Sequence, residues 1–149
     1  MKRPPLGDGS TAADGPHRPE RPRVLVATRS AHKLRELRQL LHPAVAELVS
    51  LDDVGIPDEV AESGSTFAAN AALKARAYAR TSGLPTLADD SGIEVDALGG
   101  GPGVRTRRFA GEDATDDENN AKLLATLEGL PPGQRRAGFR VSIGVIAEA

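Results

Sequence analysis

The segment from Leu87 to Gly100, LADDSGIEVDALGG, places four carboxylates, Asp89, Asp90, Glu94 and Asp96, within eight residues. Apolar residues that read as strand surround them, and a glycine-rich bend follows. Adjacent acids repel. Half-burying them costs several kcal/mol unless a cation or hydrogen-bond donors compensate. A hard divalent cation with oxygen ligands is one such compensator. Glu62, at the end of a loop in Ala61-Glu62-Ser63-Gly64, is a candidate to share that cation with Asp89 and Asp90. A carboxylate beside the metal could then orient or deprotonate a water. The plain alternative is a set of surface acids in a turn. For Glu94 and Asp96, solvated acids are the simpler account.

Two basic constellations lie upstream. Thr28-Arg29-Ser30-Ala31-His32-Lys33 falls at a strand-to-helix turn, where backbone N–H groups and hydroxyls can cradle an anion. Lys33 would stand in the first helical turn, where the dipole disfavours a cation, and a bound phosphate would remove that conflict. An ordinary capped helix with a solvated lysine also fits. Asn70 and Lys74 share a helical stripe with Phe67, Ala71 and Tyr78. They are polar intruders on an inward face, either as phosphate donors or, for Lys74, as a chain that snorkels to the edge of the core. His17, His32 and His42 show no metal-ligand spacing.

The elements that must position these groups alternate between strand and helix. Residues 23–28 read as a buried strand, and Ser30 as the cap of a helix over 31–41 with Leu34, Leu37 and Leu41 as its core stripe. Residues 45–50 read as a second strand, 51–64 as loop and 65–81 as a helix ended by Gly83. Leu84–Leu98 reads as one or two strands interrupted by the acidic run. Thr115 to Glu118 forms a capping box for a helix reaching about Leu127. Residues 137–147 alternate, with Ala137, Phe139, Val141, Ile143, Val145 and Ala147 on one face. That leaves an apolar face and an unpaired edge. The class is α/β.

Bulk properties bound the rest. The chain has 149 residues, net charge −2, 3% aromatic residues and no cysteine. Disulfides and thiolate metal sites are excluded. The charge balance argues against a dedicated duplex-DNA binder, and the scarcity of aromatic residues against a single-strand stacking platform. No apolar run is long enough to span a membrane. Residues 1–22, with five prolines and three glycines, read as a disordered tail without a signal-peptide core, leaving 23–149 as one domain. A cytoplasmic location is compatible with all of this.

The motifs together resemble the inosine triphosphate pyrophosphatase family. The matching segments are Val24–Thr28 with Lys33 and Glu36, Glu62–Phe67 with Asn70 and Lys74, and Leu87–Gly100. Pro102–Val104, Arg108–Glu112, Ala114–Asp116, Asn119 and Lys122–Leu124 continue the match in order. The resemblance implies Mg²⁺-dependent hydrolysis of non-standard purine nucleoside triphosphates (ITP, dITP, XTP) to monophosphate and pyrophosphate. It implies a mixed, elongated α/β sheet flanked by helices, in two lobes around a cleft, in a homodimer with no nucleic-acid or membrane partner. By position, Thr28, Arg29, Ser30, Ala31, His32 and Lys33 would hold the triphosphate, helped by Asn70 and Lys74. Glu62 and Asp90 would bind Mg²⁺. Asp90 would also be the general base, Ser91 would touch substrate, and Asp89 would be a supporting carboxylate. The family usually has Asn where Ser30 stands, and small or aromatic residues where Arg105 and Arg107 stand. It also continues into a Gly-Phe-Gly-Tyr-Asp-Pro-type segment and a Ser-His-Arg element that read the purine, neither of which occurs in residues 1–149. The resemblance therefore implies an incomplete second lobe and weak base selectivity. The alternative is a non-catalytic domain that binds nucleotide phosphates or another subunit. A pyrophosphatase for modified pyrimidines fits the chemistry but not the ordered motifs.

Overall fold

The computed structural model describes residues 21–147. The expected tail over 1–22 lies outside these residues except for Arg21 and Pro22. Four strands, β1 (Arg23–Val26), β2 (Glu47–Ser50), β3 (Thr86–Val95) and β4 (Ala137–Ile146), form one mixed sheet in the order β2-β1-β3-β4. β1 runs parallel to both β2 and β3, whereas β4 runs antiparallel to β3. Three α-helices accompany it: α1 (Ala31–Leu40), α2 (Phe67–Ser82) and α3 (Asp116–Thr126). A 3-10 segment, Gly103–Arg108, packs against β3. No described helix is long and apolar enough to cross a membrane.

Local chemistry sets the helix ends. The Ser30 hydroxyl accepts from the Lys33 N–H, Thr66 accepts from Ala69, and Thr115 and Glu118 form the expected reciprocal box. The Thr115 backbone N–H holds the Glu118 carboxyl below its ordinary value. Gly83 closes α2 in the left-handed region, at φ 68°.

The core lies between α2 and the sheet. Leu25, Ala27, Val49, Leu51, Ile56, Ala75, Tyr78 and Ala88 form its central cluster. Each large aliphatic member contributes roughly 1.5–3 kcal/mol by burial. α1 differs from expectation, for it buries no residue completely. Leu34 and Leu37 are only half covered and Leu41 is exposed, because α2 alone packs squarely on the sheet.

β3 is one uninterrupted strand, correcting the expectation of a break at the acidic run. Its ladder with β4 continues through Asp89↔Ile143 and Asp90↔Ser142. Alternation sends the two carboxylates to opposite faces, so they do not crowd one another. The face carrying Thr86, Ala88 and Asp90 is buried beneath α2, while that of Asp89 and Ser91 is only partly covered. Along the same open face of β4, Phe139, Val141, Ile143 and Val145 are each more than half exposed. The expected alternation is therefore present, with its apolar side uncovered among the described residues.

Candidate active site

A cleft of about 690 Å³ opens over the end of β1 and the middle of β3. Of the residues expected in the site, Thr28, Arg29, Ser30, Lys33, Glu62, Lys74, Asp89, Asp90 and Ser91 line it. The strand ends, the start of α1, the loop before α2 and the middle of α2 thus converge on one place. Ala31, His32 and Asn70 are not among the lining residues.

The turn after β1 is self-braced. The Ser30 N–H donates to Thr28 Oγ1 at 3.1 Å, and the Lys33 N–H donates to Ser30 Oγ at 3.3 Å. The N–H groups of Ala31 and His32 open α1 and have no intrahelical acceptor, so these two residues offer backbone rather than side chain. The His32 ring lies 3.6 Å from the Glu36 carboxylate and is well exposed, outside the cleft. The dipole conflict at Lys33 is resolved by Asp89, whose Oδ2 accepts from Nζ at 2.5 Å. Lys33 also reaches the Ser91 hydroxyl at 3.3 Å. Asp89 thereby fixes the ammonium group of Lys33 at the cleft wall.

Arg29 meets the cleft with its guanidinium already engaged. Its guanidinium donates to Asp52 Oδ1 at 2.9 Å and to the carbonyl of Ile56 at 2.5 Å, so it fastens the loop after β2 rather than standing free for an anion. Lys74 is neither solvated nor simply snorkelled. It donates to Glu62 Oε1 at 2.8 Å, with both side chains mostly buried.

Asp90 is 7% exposed and Asn70 0%. Asn70 Nδ2 donates to Asp90 Oδ2 at 3.0 Å, and its Oδ1 accepts from the Gly64 N–H at 2.7 Å. With both amide atoms engaged and no exposed surface, Asn70 holds Asp90 from beneath the cleft. Gly64 belongs to this contact, since a Cβ there would stand 2.6 Å from Asn70 Oδ1. The other Asp90 oxygen accepts from the Ser91 N–H at 3.0 Å. Among the described residues, no basic side chain lies within ion-pair distance of Asp90. A nearly buried carboxylate held only by neutral donors is an anion in want of a cation.

Several supporting residues escape sequence reasoning. Arg108 donates to the Glu62 carbonyl at 3.1 Å and Tyr78 to the Asp58 carbonyl at 3.0 Å. Asn119, buried on α3, donates to the Arg107 carbonyl at 2.8 Å and accepts from the Ala110 N–H. These are contacts between distant segments, and no local spacing announces them. The sole local signal is a polar residue, Asn119, on the covered side of a capped helix.

The Ham1 family model matches residues 24–149. The chain belongs to the Ham1 family. Curated relatives include a dITP/XTP pyrophosphatase of Shigella flexneri, 50% identical over 117 residues that make up 78% of this chain and 59% of the relative. A second, from Geobacter sulfurreducens, is 50% identical over 123 residues, 83% of this chain and 62% of the relative. The chain thus spans about six-tenths of the length of these Ham1 relatives. Among solved structures, a HAM1 protein from Coxiella burnetii superposes with a TM-score of 0.77 at 38% identity, covering 85% of this chain and 64% of the other. A nucleoside-triphosphatase / dITP/XTP pyrophosphatase from Mycobacterium abscessus gives 0.70 at 41% identity, covering 84% and 64%. The Ham1 fold accounts for the mixed sheet and flanking helices.

Proposed function

We propose that this Ham1 chain hydrolyses non-standard purine nucleoside triphosphates, ITP, dITP and XTP, to the monophosphate and pyrophosphate with Mg²⁺. The substrate class is that in the names of its curated relatives. The observation that carries the reading is the charge layout of the cleft. Four basic side chains, Arg29, Lys33, Lys74 and Arg107, face five acidic ones, Glu59, Glu62, Asp89, Asp90 and Asp116. A triphosphate carries about four negative charges at neutral pH, so it enters such a cleft only with a divalent cation.

The donor set fits Mg²⁺. Asp90 and Glu62 supply hard carboxylate oxygens into one cleft. No group of three metal-binding side chains occurs among the described residues. Mg²⁺ does not need one, since it usually takes one or two carboxylates and completes its shell with waters and substrate phosphates. Asp90 and Glu62 would hold the cation, whose charge would neutralise phosphate oxygens and acidify a water.

The chain's own residues do the rest. The N–H groups opening α1 and the ammonium groups of Lys33 and Lys74 receive phosphate oxygens, exchanging Asp89 and Glu62 for the substrate. An Asp90 oxygen takes a proton from the water whose oxygen bonds to the α-phosphorus. The bond from that phosphorus to the oxygen bridging to the β-phosphoryl group breaks, and pyrophosphate leaves. Asn70 keeps the Asp90 carboxylate aimed while this happens. A cytoplasmic homodimer is the setting this reading carries.

The test is pyrophosphate release from ITP, XTP, ATP and GTP by the 149-residue chain, with Mg²⁺ and with EDTA. Release from ITP and XTP that EDTA abolishes is expected. A folded chain that releases none would overturn the reading. The ratio of ITP to ATP turnover measures how much base discrimination residues 1–149 hold.

A further inference from the structure

Between Ile56 and Gly64 the chain has no regular secondary structure, and among the described residues no backbone-to-backbone hydrogen bond involves Pro57 to Ser63. This strap nevertheless carries Glu59, Val60 and Glu62 into the cleft lining. Its backbone is held by side chains that reach it from other elements. Tyr78 Oη donates to the Asp58 carbonyl at 3.0 Å, Arg29 Nη2 reaches the same carbonyl at 3.4 Å, and Arg108 donates to the Glu62 carbonyl at 3.1 Å.

Tyr78 stands apart from the two arginines. It is 5% exposed and belongs to the apolar core with Leu25, Leu51 and Ala75. A phenylalanine would fill that core as well. What tyrosine adds is one hydroxyl, and that hydroxyl reaches out of the core to the strap. The register of the contact gives it meaning. Lys74 and Tyr78 are one helical turn apart on α2, and their partners, Glu62 and Asp58, are four residues apart on the strap. One rigid helix thus holds the strap at two points. The Lys74 contact is given up when a cation takes the Glu62 carboxylate. The Tyr78 contact is made to backbone, so it persists while that carboxylate is in use.

We propose that Tyr78 is a positioning residue for the cation site. Through the Asp58 carbonyl, its hydroxyl fixes the strap and keeps Glu62 presented to the cleft when metal enters. It acts through the strap rather than on the substrate. This rests on the reading of Glu62 as a metal ligand. Without the hydroxyl, the Asp58 carbonyl keeps only the longer bond from Arg29, and the strap loosens while the core stays filled.

The experiment compares the parent chain with Tyr78→Phe in two measurements that need no turnover. Amide hydrogen exchange reads the strap, and Mn²⁺ titration followed by electron paramagnetic resonance reads the metal site. Tyr78→Phe should exchange faster over residues 58–63, with the sheet unchanged. It should bind Mn²⁺ about fivefold more weakly, the equivalent of one neutral hydrogen bond. In ITP hydrolysis, the Mg²⁺ concentration giving half the maximal rate should rise by a similar factor, and saturating Mg²⁺ should bring kcat to within about twofold of the parent. Thr81→Val removes a different hydroxyl of α2, one bonded to the Ala77 carbonyl of its own helix, and should match the parent throughout. A phenol that only stabilises the core would lower the melting temperature and leave Mn²⁺ affinity unchanged. That result would overturn the proposal, as would unchanged exchange in the strap or a parent chain that binds no Mn²⁺. If Mn²⁺ affinity and strap exchange both respond and ITP is not hydrolysed, the hydrolase reading falls while this one stands. If ITP is hydrolysed and Tyr78→Phe is silent in both, the reverse holds.

Discussion

Asp89 and Asp90 are neighbours in sequence and strangers in environment. One stands on the open face of β3 against an ammonium group, the other on the covered face against a carboxamide and a backbone N–H. On the open face the charge is already cancelled, and what the pair offers is a lysine held in register. On the covered face the charge is oriented but left uncancelled. A single strand thus divides the labour by its alternation. The compensated carboxylate is tied to a lysine, and the uncompensated one keeps its charge beside neutral donors.

The sharpest way to break this contrast is to neutralise each acid in turn. Asp90→Asn should cut pyrophosphate release by at least about 100-fold with an unchanged melting curve, since the amide is nearly isosteric. Asp89→Asn should cost far less in turnover. Equal losses would erase the distinction between the two faces. A second substitution probes the covered side alone. Asn70→Asp replaces the amide donor that holds Asp90 Oδ2 with a carboxylate that repels it. Pyrophosphate release should therefore fall by about tenfold, and unchanged turnover would remove Asn70 from the positioning of Asp90. The smallest effect belongs to the open side. Lys33→Ala should raise KM for ITP while lowering stability by no more than about 1 kcal/mol, because the pair it breaks is partly solvated. A large loss of stability would mean that Lys33 is chiefly a structural tie.

Much of this architecture is legible in the sequence itself. Ser30, Thr115 and Gly83 mark helix ends through side-chain or backbone chemistry that acts within a few residues, and such signals are local. The ordered motifs name nine residues that share one cleft. Where sequence and fold part, facing is most often the reason. Helical spacing puts Asn70 inward but does not tell a group at the cleft surface from one sealed below it. The same spacing gives α1 a core stripe that α2 pre-empts. Adjacent acids read as an interruption because periodicity carries no knowledge of what lies opposite each face. Arg29 stands in the expected turn, yet its long side chain reaches backbone twenty-seven positions away, a partner no local pattern names.

The hydrogen bonds that assemble the cleft have one more property, their span along the chain. Lys33 waits for Asp89 across 56 positions, and Glu62 for Arg108 across 46. Closing loops of that size must precede any return from the contacts themselves. On the ribosome, the phosphate-facing turn emerges first, the carboxylate arm second, and the arginine that steadies that arm well afterwards. Assembly of the cleft is therefore a late event in the life of each new molecule, because it waits on a residue as far along the chain as Arg108.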